Sequence, residues 1–344
     1  MKKYIKTVLN ILFLVLLITA TLYYTLKDQN MSQIWDAVTM AAKGWIIIAL
    51  VLVIVYVCSE SLIMKYLMHN LSERVPMISC IKYSFIGFFF SCVTPSASGG
   101  QPMQAYYMKK DKHDVTVSAL VLMIITVGYK AVLVILSLVM FIFKGSFILD
   151  HLGNVKYILI YGIAANVLFI AFLLIVIFHQ KLAQGIINLV IRILSGLHIV
   201  KNRKALQAKL EGMMAPYRDG AVYIRKHLST LVVVFILSVI QRVALFLVPW
   251  CVYKAYGLSG ISAVEIVTLQ TIIALSVDML PLPGGIGAAE TSFVVMFENI
   301  FGQALLIPGM LLSRGISYYF LVLVSGLVTV IAHAKGQFFG KVQN

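Results

Sequence analysis

Six ionisable side chains, Glu60, Lys130, Arg242, Asp278, Glu290 and Arg314, stand within stretches that are otherwise almost wholly apolar. An ionised group surrounded by hydrocarbon is costly, so each needs a partner or a wet cavity, and such residues mark substrate or ion pathways. Lys130, Arg242 and Arg314 would attract a phosphate. Glu60, Asp278 and Glu290 could pair with those cations or receive a cationic head-group. Two segments carry helix breakers among the apolar runs: TPSASGGQP (94–102), with Pro95, Gly99, Gly100 and Pro102, and LPLPGGIGAAE (280–290), with Pro281, Pro283, Gly284, Gly285 and Gly287. Gln101 and Gln104, beside the first break, are candidate neutral hydrogen-bond donors.

An irregular backbone at membrane depth is tolerable only where protein or a water-lined cavity satisfies it. Glycine permits positive φ and close approach, and Pro102 suits the first turn of a helix, where its missing N–H costs nothing. Half-helices starting near Gln101 and near Gly287 would therefore turn free N–H groups and positive dipole ends toward the protein centre, an arrangement suited to anions and to phosphate in particular. A purely structural kink is the plainer alternative.

The elements that must hold these groups are membrane spans. Of 344 residues, 61% are hydrophobic and 12% charged, and apolar runs of 18 residues or more recur along the chain. The fold expected is an all-α polytopic membrane protein, one membrane domain over residues 1–344. Full crossings are predicted at 8–26, 44–64, 116–143, 157–178, 229–253 and 304–332. The broken segments 83–108 and 262–300 are predicted as re-entrant helical hairpins. The opening KKYIK and the run after it are read as a retained first span rather than a cleaved leader, because no small-residue cleavage site follows.

Charge decides the topology. The connector 179–228 holds Lys181, Arg192, Lys201, Arg203, Lys204, Lys209, Arg218, Arg225 and Lys226, and the positive-inside rule keeps such a loop in the cytoplasm only if both broken segments enter and leave on one side. Among the 28 lysines and arginines, the outer face then keeps Lys27, Lys43, Lys144, Lys156 and Lys254, while Lys130, Arg242 and Arg314 lie within spans. Segments 44–143 and 229–332 thus form two repeats of opposite orientation, with 83–108 and 262–300 dipping from opposite faces. Matching Gly-Gly to Gly-Gly puts Lys130 30 residues after Gly100 and Arg314 29 after Gly285. Paired Gly/Pro-broken segments in two halves point to an inverted-repeat transporter with a midplane site. Asp278 is expected near the outer surface, within reach of water.

Other features exclude functions. The cysteines Cys58, Cys80, Cys92 and Cys251 are scattered singly, and the seven histidines form no HxxxH or HExxH pattern, so neither a metal site nor another cofactor is expected. The net charge of +15 follows from inner-face orientation and suits anionic lipid; nucleic acid is not needed to explain it. Within the connector, LAQGIINLVIRILSGL reads as an amphipathic interfacial helix. Tyr106, Tyr107, Trp250, Tyr318 and Tyr319 read as interfacial belts.

The segments TPSASGGQPMQA (94–105) and LPLPGGIGAAE (280–290) resemble the two signature stretches of the lysylphosphatidylglycerol synthase transmembrane, or flippase-like, family, which includes the flippase domain of the bacterial multiple peptide resistance factor. The likeness runs over nearly the whole chain, with PGGxGxxE (Pro283 to Glu290) its most specific part. The resemblance implies a polytopic module in the bacterial cytoplasmic membrane, both termini cytoplasmic, that flips a phospholipid, in relatives an aminoacylated one, between leaflets. Relatives that transfer lysine add a large soluble C-terminal domain. This chain ends at Asn344 soon after its last predicted span, so it is not expected to make lysylphosphatidylglycerol by itself. Three readings stay open: a lipid translocase; a membrane-embedded lipid-modifying enzyme with Glu290 or Glu60 as general base; and an accessory partner, such as one member of a homodimer or the companion of a separate lipid synthase.

Overall fold

A computed structural model describes residues 31–178, 185, 222 and 228–340. The predicted span 8–26 and nearly all of the connector 179–228, with its amphipathic stretch, lie outside the described residues. Among the described residues every regular element is helical. In chain order they are α1 (Met31–Met40), α2 (Lys43–Asn70), α3 (Met77–Cys92), a 3₁₀ turn (Pro95–Ala97), α4 (Gly100–Lys110), α5 (Val115–Leu152), α6 (Val155–Phe178), α7 (Leu228–Phe246), α8 (Val248–Ala255), α9 (Ala263–Val277), a second 3₁₀ turn (Pro283–Gly285), α10 (Ala288–Arg314), a π-helical turn (Gly315–Phe320) and α11 (Leu321–Gly340).

Among the described residues, five stretches are long and apolar enough to cross a membrane: Lys43–Asn70, Val115–Leu152, Val155–Ile175, Ser229–Ala255 and Pro283–Ala334. Helices α3 and α9 are apolar but shorter. A straight helix over the 52 residues of the last stretch would reach about 78 Å, well beyond the ~30 Å of hydrocarbon. It does not run straight. Gly302 (φ 69°, ψ 164°) interrupts α10, and the chain turns back there, with Phe301 meeting Tyr253 at 5.8 Å between ring centroids.

Helix α2, with 28 residues and about 42 Å long, measures the depth of the bundle. At its Asn70 end the legs of the hairpin α3–α4 are tied together: His113 meets Glu73 at 3.3 Å, and Asp111 accepts from both Lys82 and Tyr83. Burial raises the Asp111 carboxyl, yet the hydrogen bonds from Lys82 and Tyr83 outweigh it and hold that group below the usual carboxylate range. At the Lys43 end lie the legs of the second hairpin, α9 and the first half of α10. There Ala42 N–H donates to the Ala255 carbonyl (2.9 Å), and Lys144 pairs with Glu265 at 3.1 Å. The two hairpins enter the bundle from opposite ends. Their tips meet in the middle, where Ser96 Oγ donates to the Leu280 carbonyl (3.1 Å) and Tyr318 Oη to that of Cys92 (3.1 Å).

Local chemistry starts the helices at these ends. Asp114 caps α5 by accepting from Thr116 N and Val117 N (2.7 and 2.9 Å), and Ser262 with Glu265 forms a capping box on α9; such caps contribute about 1 kcal/mol each. Packing is reciprocal: α11 lies along α3 of the first hairpin, while α5 and α6 lie along α9 of the second. Gly162 makes the α6–α9 contact possible, since a Cβ there would fall 2.2 Å from the Leu275 carbonyl oxygen. One large apolar core fills the Lys43 side, another the Asn70 side, and a small one of Val93, Ile286 and Tyr318 sits at the tips. Outward faces carry exposed apolar side chains at helical spacing, such as Leu168 and Leu327, as lipid contact requires.

Several bounds differ from the sequence reading, α2 running on to Asn70 past the predicted end at 64 and α11 to Gly340 past 332. Helix α5 continues past the predicted end at 143 to Leu152, bending at Lys144 (φ −131°) and stopping at Gly153 (φ 46°); polarity ended the hydropathy signal before the hydrogen-bond ladder ended. Helix α1, in a stretch read as an outer loop, packs on α10 through the buried Ile34.

Candidate functional site

The two breaks share the conformation of their first four residues and then diverge, Ser98 and Gly99 being right-handed helical where Ile286 is extended and Gly287 has φ 85°. Thr94 and Leu282 are extended, Pro95 and Pro283 open the turns, and the next two residues are left-handed in both: Ser96 (φ 50°) and Ala97 (φ 54°), Gly284 (φ 59°) and Gly285 (φ 64°). Structural equivalence therefore pairs Gly99-Gly100 with Gly287-Ala288. The sequence match of Gly100 to Gly285 is three residues out of register, so the equal spacing of Lys130 and Arg314 does not survive it.

Glycine also plays a different part in each break. In the second it supplies positive φ, and Gly284 leaves room for the Tyr318 ring, which a Cβ would approach to 2.2 Å. In the first, Gly100 serves close approach, with a Cβ position 2.1 Å from Ser91 Oγ, and the strain falls on Ser96 and Ala97. A left-handed non-glycine residue costs about 1–2 kcal/mol. Replacing Ala97 by Gly is expected to raise stability by up to about 1 kcal/mol after the extra entropy of an unfolded glycine is deducted. Thermal unfolding in detergent measures this, and an unchanged or lowered midpoint would reject the strain assignment.

The helices after the breaks start near the expected positions, α4 at Gly100 and α10 at Ala288, but two N–H groups at these ends are already engaged. Gly99 N–H donates to Thr94 Oγ1 (2.8 Å), and Gly287 N–H donates to Glu290 Oε2 (2.8 Å). The Glu290 carboxylate thus sits where the helix dipole favours an anion. Its other oxygen accepts from Arg314 Nε at 2.8 Å, and Arg314 also reaches the Gly284 carbonyl (3.3 Å) and lies 4.6 Å over the Tyr318 ring.

Lys130, buried on α5, pairs across the bundle with Asp278 at the second tip, donates to Asn166 Oδ1 (3.2 Å) and stands 5.2 Å from the Phe169 ring centroid. Asp278 is therefore at the centre of the protein; its expected place near the outer surface was wrong because α9 runs inward from Ser262 and ends there. Glu60, buried on α2, accepts from Gln104 (2.9 Å) and Gln241 (3.4 Å). Gln101 donates instead to Thr126 Oγ1 (3.1 Å). The Arg242 guanidinium lies 4.5 Å over the Tyr129 ring, and its Nε is buried without a hydrogen-bond partner among the described residues.

Most of these groups border two adjoining cavities, while Lys130 and Glu290 stand behind the walls, held there by Asp278 and Arg314. One of about 220 Å³ is bounded by Ser96, Gln270, Gly284, Arg314 and Tyr318; the other, about 150 Å³, by Glu60, Gln101, Gln104, Tyr129 and Gln241. Tyr56, Arg242 and Asp278 line both. Liquid water takes about 30 Å³ per molecule, so the pair can hydrate the charges or admit a phosphoryl-sized group in place of several waters. Among the described residues no cluster of His, Cys, Asp and Glu could hold a metal ion.

The sequence reading missed several contributors: Tyr56 and Tyr129 within spans, Gln241 beside Arg242, and Tyr318, assigned to an interfacial belt but buried at the tips. The π-helical turn at 315–320, a feature that hydropathy does not reveal, is the element that carries Tyr318 there.

Comparison of the sequence with known proteins gives a family match, described as Lysylphosphatidylglycerol synthase TM region, over residues 8–325. The search of curated proteins gives no match.

Proposed function

Because the chain belongs to the lysylphosphatidylglycerol synthase TM region family, we propose that it is a lipid translocase, moving a phospholipid, aminoacylated as lysylphosphatidylglycerol or bearing another head-group, between the leaflets of a bacterial cytoplasmic membrane. The observation that carries this reading is the meeting of two charge-flanked breaks around a polar cavity midway along spans of membrane length. The hairpins α3–α4 and α9–α10, entering from opposite ends and packed on each other's following spans, support an inverted repeat of re-entrant segments. Positive-inside orientation puts the Asn70 end, with Lys65, Arg74, Lys82, Lys109, Lys110 and Lys112, in the cytoplasm together with both termini.

The head-group would occupy the two cavities, with Arg242 and Arg314 facing its phosphate, Glu60 and Asp278 facing any cationic part, and Lys130 and Glu290 joining as their partners Asp278 and Arg314 turn to the lipid. Gln101 and Gln104 would supply neutral hydrogen bonds. Arg242 is the first contact, since Lys130 and Arg314 already hold carboxylates. The enzyme alternative, with Glu290 or Glu60 as general base, is weakened because both oxygens of each accept hydrogen bonds.

Replacing Arg242 by Gln tests the assignment. Arg242 stands in no ion pair among the described residues, and its cation–π contact is worth about 0.5–2 kcal/mol, so the variant should fold. Loss of a charge-assisted contact to phosphate should slow translocation of a labelled phospholipid in proteoliposomes by roughly tenfold or more. A variant as fast as wild type would remove Arg242 from the path; a new lipid species found by mass spectrometry after incubation would favour the enzyme.

A further inference from the structure

We propose that an apolar groove between α4, α5 and α6 holds one acyl chain of the lipid whose head-group occupies the central cavities; this rests on the translocase reading and adds the place where the tail is gripped. The groove has a volume of about 280 Å³. Its walls are Pro102 and Ala105 from α4, Ala119 and Met123 from α5, and Leu173 from α6. Alanines at 105 and 119 leave the space that larger side chains would fill.

Three observations select the occupant. First, polarity appears only at the inner end, where Gln101 and Thr126 line the groove; Gln101 and Thr126 also line the Glu60 cavity. The partition between groove and cavity is their mutual 3.1 Å hydrogen bond, a neutral contact weak enough for an entering head-group to replace. Second, Phe169 lines the groove and carries Lys130 5.2 Å from its ring centroid, so the groove also ends beside a cation. Third, the outer flank faces hydrocarbon: on α6 Leu168 is 70% exposed and Val167 and Phe172 are exposed too, while Pro102 is exposed on α4. A path that begins at bilayer-facing side chains, is lined by carbon and finishes at charged groups matches an amphipathic lipid lying tail outward. Water would find too few polar partners along the groove, whose volume equals about nine waters, and the same volume is too small for a docked helix.

The test uses the full chain in proteoliposomes containing phosphatidylglycerol with a diazirine partway along one acyl chain. Irradiation should place adducts on the 115–130 segment, at Ala119 and Met123, reduced by excess unlabelled phosphatidylglycerol. Ala119→Trp, which fills the groove, should abolish those adducts and slow translocation of fluorescent phosphatidylglycerol by about tenfold. Binding of soluble glycerophosphoglycerol, read by calorimetry, should stay within about twofold of wild type, since the cavities are untouched. Should the Trp variant fold poorly, Ala119→Leu and the wild-type adduct map carry the same test. Adducts confined to the outward faces at Val167 and Leu168, or Ala119→Trp moving lipid at the wild-type rate, would overturn the groove and leave the translocase reading standing. A photoreactive residue at 119 that captures residues 8–26 or a second copy instead of lipid would overturn it as well. Groove adducts in a protein that moves no lipid would uphold the groove and reject the translocase.

Discussion

Arg314→Ala is expected to cost about 3–5 kcal/mol of stability, the range for removing one member of a buried ion pair, and to abolish lipid movement. Glu290 is 2% exposed and would be left with only the Gly287 N–H donating to it. The same change removes the hydrogen bond to the Gly284 carbonyl and the support under Tyr318, whose hydroxyl ties the 315–320 turn to the Cys92 carbonyl. Structural and functional roles separate in the pair of neutral replacements, Glu290→Gln with Arg314→Gln. That protein leaves no charge stranded, so its unfolding midpoint should return most of the way to wild type while translocation stays lost. An Arg314→Ala protein with an unaltered midpoint would contradict the pairing. Recovery of transport in the double replacement would reduce Arg314 to a structural strut.

Lys130→Ala has the second largest expected effect. Asp278 retains 20% side-chain exposure and lines the cavities, so water can solvate the stranded carboxylate, and the loss should be about 2 kcal/mol rather than the full value for a dry pair. Translocation should fall roughly 30- to 160-fold, the effect of removing a charge-assisted contact worth about 2–3 kcal/mol. Combining it with Asp278→Asn restores the charge balance. Stability should recover and translocation should not; the reverse outcome would show that the pair only braces α5 against the second tip.

Much of this arrangement was legible in the sequence because membranes make some residues conspicuous. Unbroken apolar runs mark where the long helices lie, Pro and Gly mark where they are interrupted, and lone charges in those runs mark where solvent or a partner must be. Pairing was not legible. Lys130 and Asp278 are 148 residues apart, and nothing local to either chooses it over Glu60 or Glu290. Conformation was not legible either: Ser96 and Ala97 are left-handed where glycines three residues further on are helical, because a tip clamped by Thr94 and the Leu280 carbonyl overrides the preference of a side chain for negative φ. Aromatic residues misled for a related reason. Tyr318 has an apolar ring and a polar tip, which suits a membrane interface and a buried carbonyl equally well, and only the fold decides which it meets.

The central charges come as three cations, Lys130, Arg242 and Arg314, beside three carboxylates, Glu60, Asp278 and Glu290. An elementary charge carried across a membrane potential of 100 mV exchanges about 2.3 kcal/mol with the field, so a net charge moving with the protein would make its conformational cycle electrogenic. With all six ionised and displaced together, the set sums to zero and carries almost no gating charge. Any voltage dependence in the transport rate would then report the charge of the cargo and not that of its carrier.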